Sequence, residues 1–314
     1  MQEYPRRLDE FEAAFPTDEA CRDYLARLRW PEGFRCPRCE NTKAYAIGST
    51  LYQCSMCRYQ VSVIAGTIFQ DTHKPLTMWF RAFWWVAGQK NGASALSLKR
   101  ILGLGSYQTA WAWLHKMRSA MVRPGRDRLG GLVEVDESYV GGEKSGKRGR
   151  GAEGKALVAV AVEDKGDQGI GRIRMAVIPD ASGKSLVGFI KASVVEGSSV
   201  RTDGWSGYNG VSAAGYDHVV ERKDARVGDR PSKLVHLAVS LLKRWLLGTH
   251  QGAVSHEHLP YYLDEFVFRF NRRTSTHRGL LFFRLLQNAV VGEPLPYKSM
   301  VKHVRGPKPR NHEI

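Results

Sequence analysis

Two aspartates in this sequence close short apolar runs: Asp136 in L-V-E-V-D-E-S-Y-V-G-G and Asp203 in S-S-V-R-T-D-G-W-S-G-Y. Both runs read as buried strands with the acid at or near the exit, where a side chain leaves the core and meets solvent. Two carboxylates on neighbouring strands suit a divalent cation, because hard cations take oxygen ligands and offset the repulsion between the acids. Paired metals of that kind activate water or a 3′-hydroxyl and stabilise the leaving oxygen in phosphodiester chemistry. A lone aspartate at such a place more often caps a turn. The inference therefore rests on the pair and on its context.

A second set of chemical residues lies upstream. Cys36 and Cys39 form C-P-R-C, and Cys54 and Cys57 form C-S-M-C. This spacing predicts a ribbon in which two knuckles supply four thiolates to a structural zinc ion. The intervening K-A-Y-A-I-G-S-T-L-Y-Q reads as a hairpin turning at Gly48 and Ser49. A redox role would pair one C-x-x-C with a βαβ unit, and none is visible. Cys21, in a helix expected over Asp18–Arg29, reads as a buried thiol.

Composition supports a polyanionic partner. The 314 residues carry a formal net charge of +16 with 43% hydrophobic content, as in a globular protein whose basic surface favours nucleic acid. The most apolar stretch, Met78 to Gly88, is too short to span a bilayer and contains Arg81. The N-terminus, M-Q-E-Y-P-R-R-L-D-E, has no apolar signal core, which predicts a cytosolic protein.

The elements that must position these residues follow from periodicity. Met78–Lys90, Ala95–Ile101 and Tyr107–Val122 read as helices, the last two separated by Gly103-Leu104-Gly105-Ser106. That triplet fits a helix-turn-helix, with Gln108, Thr109, Trp113, Lys116 and Arg118 on or near a DNA-facing helix. The tryptophans Trp79, Trp84, Trp85, Trp111 and Trp113 read mainly as filling for a small helical core. From Leu132 onward strands alternate with helices: Leu132–Asp136, Lys155–Glu163 and Ile173–Ile178, a helix over Gly183–Ala192, then strands at Val200–Asp203 and Tyr216–Val220. Long helices at Ser232–Leu247 and His258–Arg272 complete the series. Three strands in meander, a helix, and a fourth strand ending in Asp is the order of a ribonuclease H-like α/β fold with a mixed sheet. Lys144, Lys147, Arg148, Arg150 and Lys155 form a glycine-rich basic loop between the first two strands, either a phosphate-contacting loop or a merely solvated one.

Two-metal sites usually carry a third acid from a helix after the fifth strand. Here the inward face of S-K-L-V-H-L-A-V-S-L-L-K-R-W-L-L-G-T offers His236, with Ser240 and Lys243 on the same stripe, and no carboxylate. An imidazole can ligate a divalent ion and tolerates manganese better than magnesium, while Lys243 could hold the scissile phosphate. Glu221, Asp224 and Asp229, in the loop before, are alternative third ligands, and His236 could instead be a plain helical histidine. Alternation is expected to point Glu134 and Glu137 away from Asp136. Tyr139 and Trp205 flank the acids and either stack on unpaired bases or pack the strand ends.

The chain resembles the zinc-ribbon DDE transposases of bacterial insertion sequences, the ISXO-like group. The matching motifs are the C-x-x-C pair, V-D-E-S-Y-V-G-G, T-D-G-W-S-G-Y, S-L-L-K-R-W-L-L-G-T-H-Q-G-A-V and Y-L-D-E-F-V-F-R-F-N-R-R, spanning roughly residues 15 to 285. The resemblance implies a catalytic magnesium or manganese ion, cleavage and joining at terminal inverted repeats, and a bacterial, nucleoid-associated protein acting as a homo-oligomer on double-stranded DNA. Asp136 and Asp203 match the family's first two acids. Where many members carry Asn and then Glu three residues on, this sequence has Lys233 and His236; the following lysine is retained as Lys243. The expected organisation is an N-terminal helical segment (1–30), the zinc ribbon (31–66), a helical DNA-binding module (75–125), the ribonuclease H-like transposase domain (129–285) and a basic tail (286–314). Two rival functions remain open: an inactive zinc-ribbon DNA binder, and a structure-selective nuclease that cuts without joining.

Overall fold

The computed structural model describes residues 4–123, 125–141, 155–221, 232–252 and 254–302. The chain divides into two compact units, residues 124–274 and a unit built from 1–123 together with 275–314.

The first unit opens with helices α1 (Leu8–Ala14) and α2 (Asp18–Arg29). Thr17 starts α2 by accepting the Ala20 N–H on its hydroxyl, the usual remedy for the unpaired amides of a first turn. A three-stranded antiparallel sheet follows: β1 (Ala44–Ile47), β2 (Leu51–Cys54) and β3 (Gln60–Ser62). The Arg29 guanidinium donates to the carbonyls of Ser62 and Val63 and so ties this ribbon to the end of α2.

Helices α3 (Leu76–Gly88), α4 (Ala95–Leu102) and α5 (Tyr107–Ser119) come next. Gly103, with φ of 63°, ends α4 in the left-handed conformation that glycine adopts at little cost. Trp79 and Trp113 stack at 3.7 Å between centroids, so these tryptophans fill a helical core as expected. After the second unit, the chain returns here with α9 (Arg278–Val291) and α10 (Tyr297–Lys302). Phe282 of α9 meets Phe11, Phe15 and Phe80 edge-on or tilted. The boundary expected at residue 285 thus falls at 274: the apolar stripe of α9 is matched by the aromatic core of this unit.

The second unit holds a five-stranded sheet of β4 (Leu132–Val140), β5 (Ala156–Asp164), β6 (Ile170–Ile178), β7 (Ser199–Thr202) and β8 (Asp217–Val220). Its spatial order is β6-β5-β4-β7-β8. The first three strands pair antiparallel, whereas β4–β7 and β7–β8 are parallel. Helix α6 (Gly183–Ser193) contributes Leu186, Phe189 and Ile190 to a core with Val133, Val135 and Val200 on one sheet face. Helices α7 (Lys233–His250) and α8 (Leu259–Phe270) cover the other, with Val235, Val239 and Leu242 packed near Val158, Val160 and Val162. Both faces of β5 are buried along nearly its whole length, which explains its continuous apolar run.

One strand differs from expectation. β4 does not end at Asp136 but continues to Val140, held by pairing with β5 through Val140↔Ala156. On its other edge β7 stops at Thr202. Asp136 is therefore mid-strand, at the point where its neighbour ends and the sheet opens.

Candidate active site and zinc centre

The ribbon gathers its four cysteines. Sulfurs of Cys36 and Cys57 lie 3.6 Å apart, as do those of Cys39 and Cys54, and all four ligand atoms fall within 4.8 Å of one another. A tetrahedral ion with metal–sulfur bonds of about 2.3 Å holds its sulfurs about 3.8 Å apart, so the quartet fits structural zinc. Burial opposes the Cys54 thiolate, but backbone N–H groups of Cys57 and Met56 and the Asn41 amide outweigh it and bring the thiol down to about 6. Cys21 is a buried free thiol, raised to about 12 chiefly by that burial.

The aspartates come together through strand register. Parallel pairing aligns Glu134 with Arg201, and Asp203, just past the end of β7, stands close enough to Asp136 for its charge to raise that carboxyl. Alternation puts the Asp136 carboxylate on the face covered by α7, since Val133 and Val135 occupy the opposite core. Asp136 is pushed up to about 7 by burial, with the carboxylates of Glu137, Asp203 and Glu134 adding to it and the Glu137 N–H opposing it. Such a surplus of oxygen donors and negative charge fits a hard divalent cation. Each aspartate also accepts a local N–H, Asp136 from Glu137 and Asp203 from Trp205; the turn-capping role and the pairing coexist.

The neighbouring acids correct one expectation. Glu134, two residues before Asp136, shares its face and does not point away. Its buried carboxylate accepts the Val235 N–H at 2.7 Å and pairs with Arg201 at 3.0 Å. The first turn of α7 lacks a side-chain cap of its own, and Glu134 supplies one from the sheet. Arg201 also pairs with Asp164 at 2.6 Å and Glu221 at 3.3 Å. Glu137 does lie on the other face, where the buried Tyr208 hydroxyl donates to it at 2.7 Å. The E-V-D spacing carried the signal for Glu134, because residues two apart in a strand share a face; nothing local pointed to Tyr208.

His236 is exposed on α7. Among the described residues, the cysteine quartet is the one group of three or more possible ligands gathered within 4.8 Å, so His236 does not join both aspartates at that spacing. Lys243 reaches β4, its Nζ donating to Ser138 Oγ at 3.4 Å. Burial, and secondarily Lys155, hold its ammonium below the usual lysine range. Of the other candidate third acids, Glu221 is paired with Arg201, and Asp224 and Asp229 lie outside the described residues, as do Lys144, Lys147, Arg148 and Arg150. Trp205 packs: its indole donates to the Ala181 carbonyl. On α5, Gln108 is exposed and accepts from the Ser106 hydroxyl at 2.8 Å, while Lys116 is half-buried. Trp113 and Arg118 are core residues, 5% and 1% exposed, which removes them from the DNA-facing set. The half of α5 that follows Ala112 is enclosed by its own unit, leaving exposed surface mainly at its start.

Among the described residues no helix is long and apolar enough to cross a membrane.

Fold and site define an α/β domain with a mixed sheet and clustered acids, joined to a ribbon whose four cysteines suit zinc, and known proteins show similar stretches. The ISXO2-like transposase domain matches residues 128–271, and the transposase zinc-ribbon domain matches residues 16–60. The chain thus carries one stretch similar to the ISXO2-like transposase domain and another similar to the transposase zinc ribbon. It is similar to an uncharacterized protein in transposable element ISH50 of Halobacterium salinarum, 28% identical over 279 residues that cover 81% of this chain and 91% of the relative.

Proposed function

We propose that this protein is an insertion-sequence transposase that cleaves DNA at the element's terminal inverted repeats and joins the ends to target DNA. The observation that supports this reading is that Asp203 stands close enough to Asp136 for its charge to add to the burial that pushes the Asp136 carboxyl up to about 7. An antiparallel meander followed by two parallel strands, ordered β6-β5-β4-β7-β8, supports a ribonuclease H-like core.

In this reading Asp136 and Asp203 ligate magnesium or manganese, and His236 completes the set when DNA and metal are present. The bound metal would activate water or a 3′-hydroxyl and stabilise the leaving oxygen. Lys243, leaning over β4 beside Ser138, holds the scissile phosphate and offsets its developing charge. Glu134 and Arg201 keep α7 docked, so that Lys243 faces the strand bearing Asp136. Zinc-ribbon, α4–α5, the basic residues Lys144, Lys147, Arg148, Arg150 and Lys116 and the neutral Gln108 contact double-stranded DNA, and the protein works as a homo-oligomer in the bacterial cytoplasm, on the nucleoid.

The test is metal-dependent cleavage of a duplex ending in the element's terminal repeat. Nicking and a strand-transfer product are expected with wild type, and neither with Asp203→Asn. Transfer separates a transposase from a structure-selective nuclease, and the absence of any nicking leaves a DNA-binding protein. His236→Glu is expected to raise magnesium activity relative to manganese, since a carboxylate is the harder ligand; a magnesium-to-manganese ratio unchanged from wild type removes His236 from the metal site.

A further inference from the structure

Asp203 lies one residue past the end of β7, beyond the last rung of the parallel ladder, Thr202↔Val220. Its backbone is fixed instead by side chains of its own turn. The Thr202 hydroxyl accepts the Gly204 N–H at 3.3 Å, and the Asp203 carboxylate accepts the Trp205 N–H at 2.9 Å. These are two successive turns of the kind in which a short polar side chain bonds the amide two residues on. Gly204, at φ of 80°, takes a left-handed conformation that a side chain would strain. The Trp205 indole is anchored on the Ala181 carbonyl, and a Cβ at Gly207 would stand 2.6 Å from that same oxygen. T-D-G-W-S-G thus sets the direction of one carboxylate.

The first bond of this turn depends on a hydroxyl, and a hydroxyl rotates. Thr202 is 1% exposed, and its second partner is the Nε2 atom of His218, 2.9 Å away on β8. A neutral imidazole accepts at one ring nitrogen, and burial holds His218 below the usual histidine range against the pull of Asp217. With Nε2 accepting, the Thr202 proton points at the ring and an oxygen lone pair is left for the Gly204 N–H. His218 is half-buried in a strand whose other residues, Asp217, Val219 and Val220, are exposed. Pairing along the whole of β8 already holds that strand to β7, so the ring is not needed to keep the sheet edge in place.

We propose that His218 is a positioning residue for the metal site: through the Thr202 hydroxyl it fixes the turn that aims the Asp203 carboxylate toward Asp136. The inference rests on the reading of Asp203 as a metal ligand, which its charge acting on Asp136 supports. Partners one step behind a metal ligand change metal affinity by about 10–100-fold when removed, although they touch no ion.

The experiment uses the full chain without DNA and reads two quantities. Manganese affinity is measured from the electron paramagnetic resonance of the free ion, with Asp203→Asn marking the signal that belongs to this site. Amide hydrogen exchange at Gly204 and Trp205 is followed in metal-free protein. His218→Ala is expected to weaken manganese binding by at least about tenfold and to speed exchange at Gly204 severalfold. Its melting temperature is expected to fall by no more than about 4 °C, as for one hydrogen bond. His218→Gln, whose amide can reach the same hydroxyl, is expected to recover most of both losses. Thr202→Val is expected to reproduce His218→Ala, and the double variant to be no worse than Thr202→Val alone, because both act through one oxygen. Wild-type exchange and affinity in His218→Ala, no recovery in His218→Gln, or additive losses in the double variant each overturn the proposal. Manganese binding that follows this pattern without any nicking of a terminal-repeat duplex would keep the positioning role and reject the transposase reading. If wild type binds no manganese at Asp203, the metal reading falls, and exchange at Gly204 alone decides whether His218 holds the turn.

Discussion

At the scale of single residues, Asp136 sits where its ionised form is disfavoured. Its carboxyl stands at about 7, against an ordinary value near 3.8, because burial and the carboxylates of Glu137, Asp203 and Glu134 disfavour its charge. A carboxylate raised in the folded state costs stability as it ionises. The penalty is absent below the unfolded value, grows from about pH 4 to pH 7, and is full above pH 7. Asp136→Asn removes it, so without divalent ions this variant is expected to be more stable than wild type at pH 8 by on the order of 2 kcal/mol, after allowance for partial solvent screening. Near pH 4 the two should unfold alike. Denaturant melts at both pH values check the sign, and manganese should stabilise wild type at pH 8 but leave the variant unchanged. In the proposed reading, acids that repel each other until a cation arrives trade folding energy for metal binding, and loss of stability in the asparagine variant at pH 8 would contradict that account.

At the scale of elements, α7 is fastened to the sheet by charge as well as by its apolar stripe. Arg201 is its linchpin: it holds the buried Glu134, whose other oxygen accepts the Val235 N–H. Arg201→Ala would strand a carboxylate that is 1% exposed, and breaking such a pair from one side costs about 3–5 kcal/mol. Adding Glu134→Gln should return much of that stability, because the orphaned charge is gone, yet cleavage should remain low while α7 is loosely docked. Unfolding measurements and hydrogen exchange at the Val235 amide follow the two effects separately. This network also marks what the sequence could and could not convey. Alternation and apolar runs made β5 and the helices around Trp79 and Val235 legible, and both aspartates could be placed on neighbouring strands from their local motifs. The extension of β4 beyond Asp136 was not legible, because E-S-Y-V is held by pairing with β5 and not by its own composition. Arg201, Glu134, Asp164 and Glu221 meet across three strands and a loop, and no spacing along the chain announces that meeting. Likewise the stripe of α9 reads equally well against either unit, and only its aromatic partners Phe11, Phe15 and Phe80 decide the matter.

At the scale of the whole molecule, charge dominates. A net +16 spread over 314 residues favours a polyanionic partner, and for the proposed DNA substrate it implies that most binding energy comes from phosphates irrespective of sequence. Each phosphate neutralised by a cation releases counterions, so the logarithm of the binding constant should fall with the logarithm of salt concentration by about 0.9 per contact. Residues 303–314 contribute Arg305, Lys308 and Arg310. If all three touch backbone, a chain ending at residue 302 should lose about 2–3 from that slope while keeping its preference for the terminal repeat over unrelated duplex, since backbone contacts position without reading bases. Gln108→Ala should act in the opposite sense, leaving the slope unchanged and narrowing the preference, because an uncharged side chain at the exposed start of α5 releases no counterions and can recognise a base edge. Titrations from low to physiological salt, run with specific and unrelated duplexes, separate the two contributions. A tail deletion that leaves the slope untouched would place the charge that grips DNA in the zinc-ribbon and catalytic units alone.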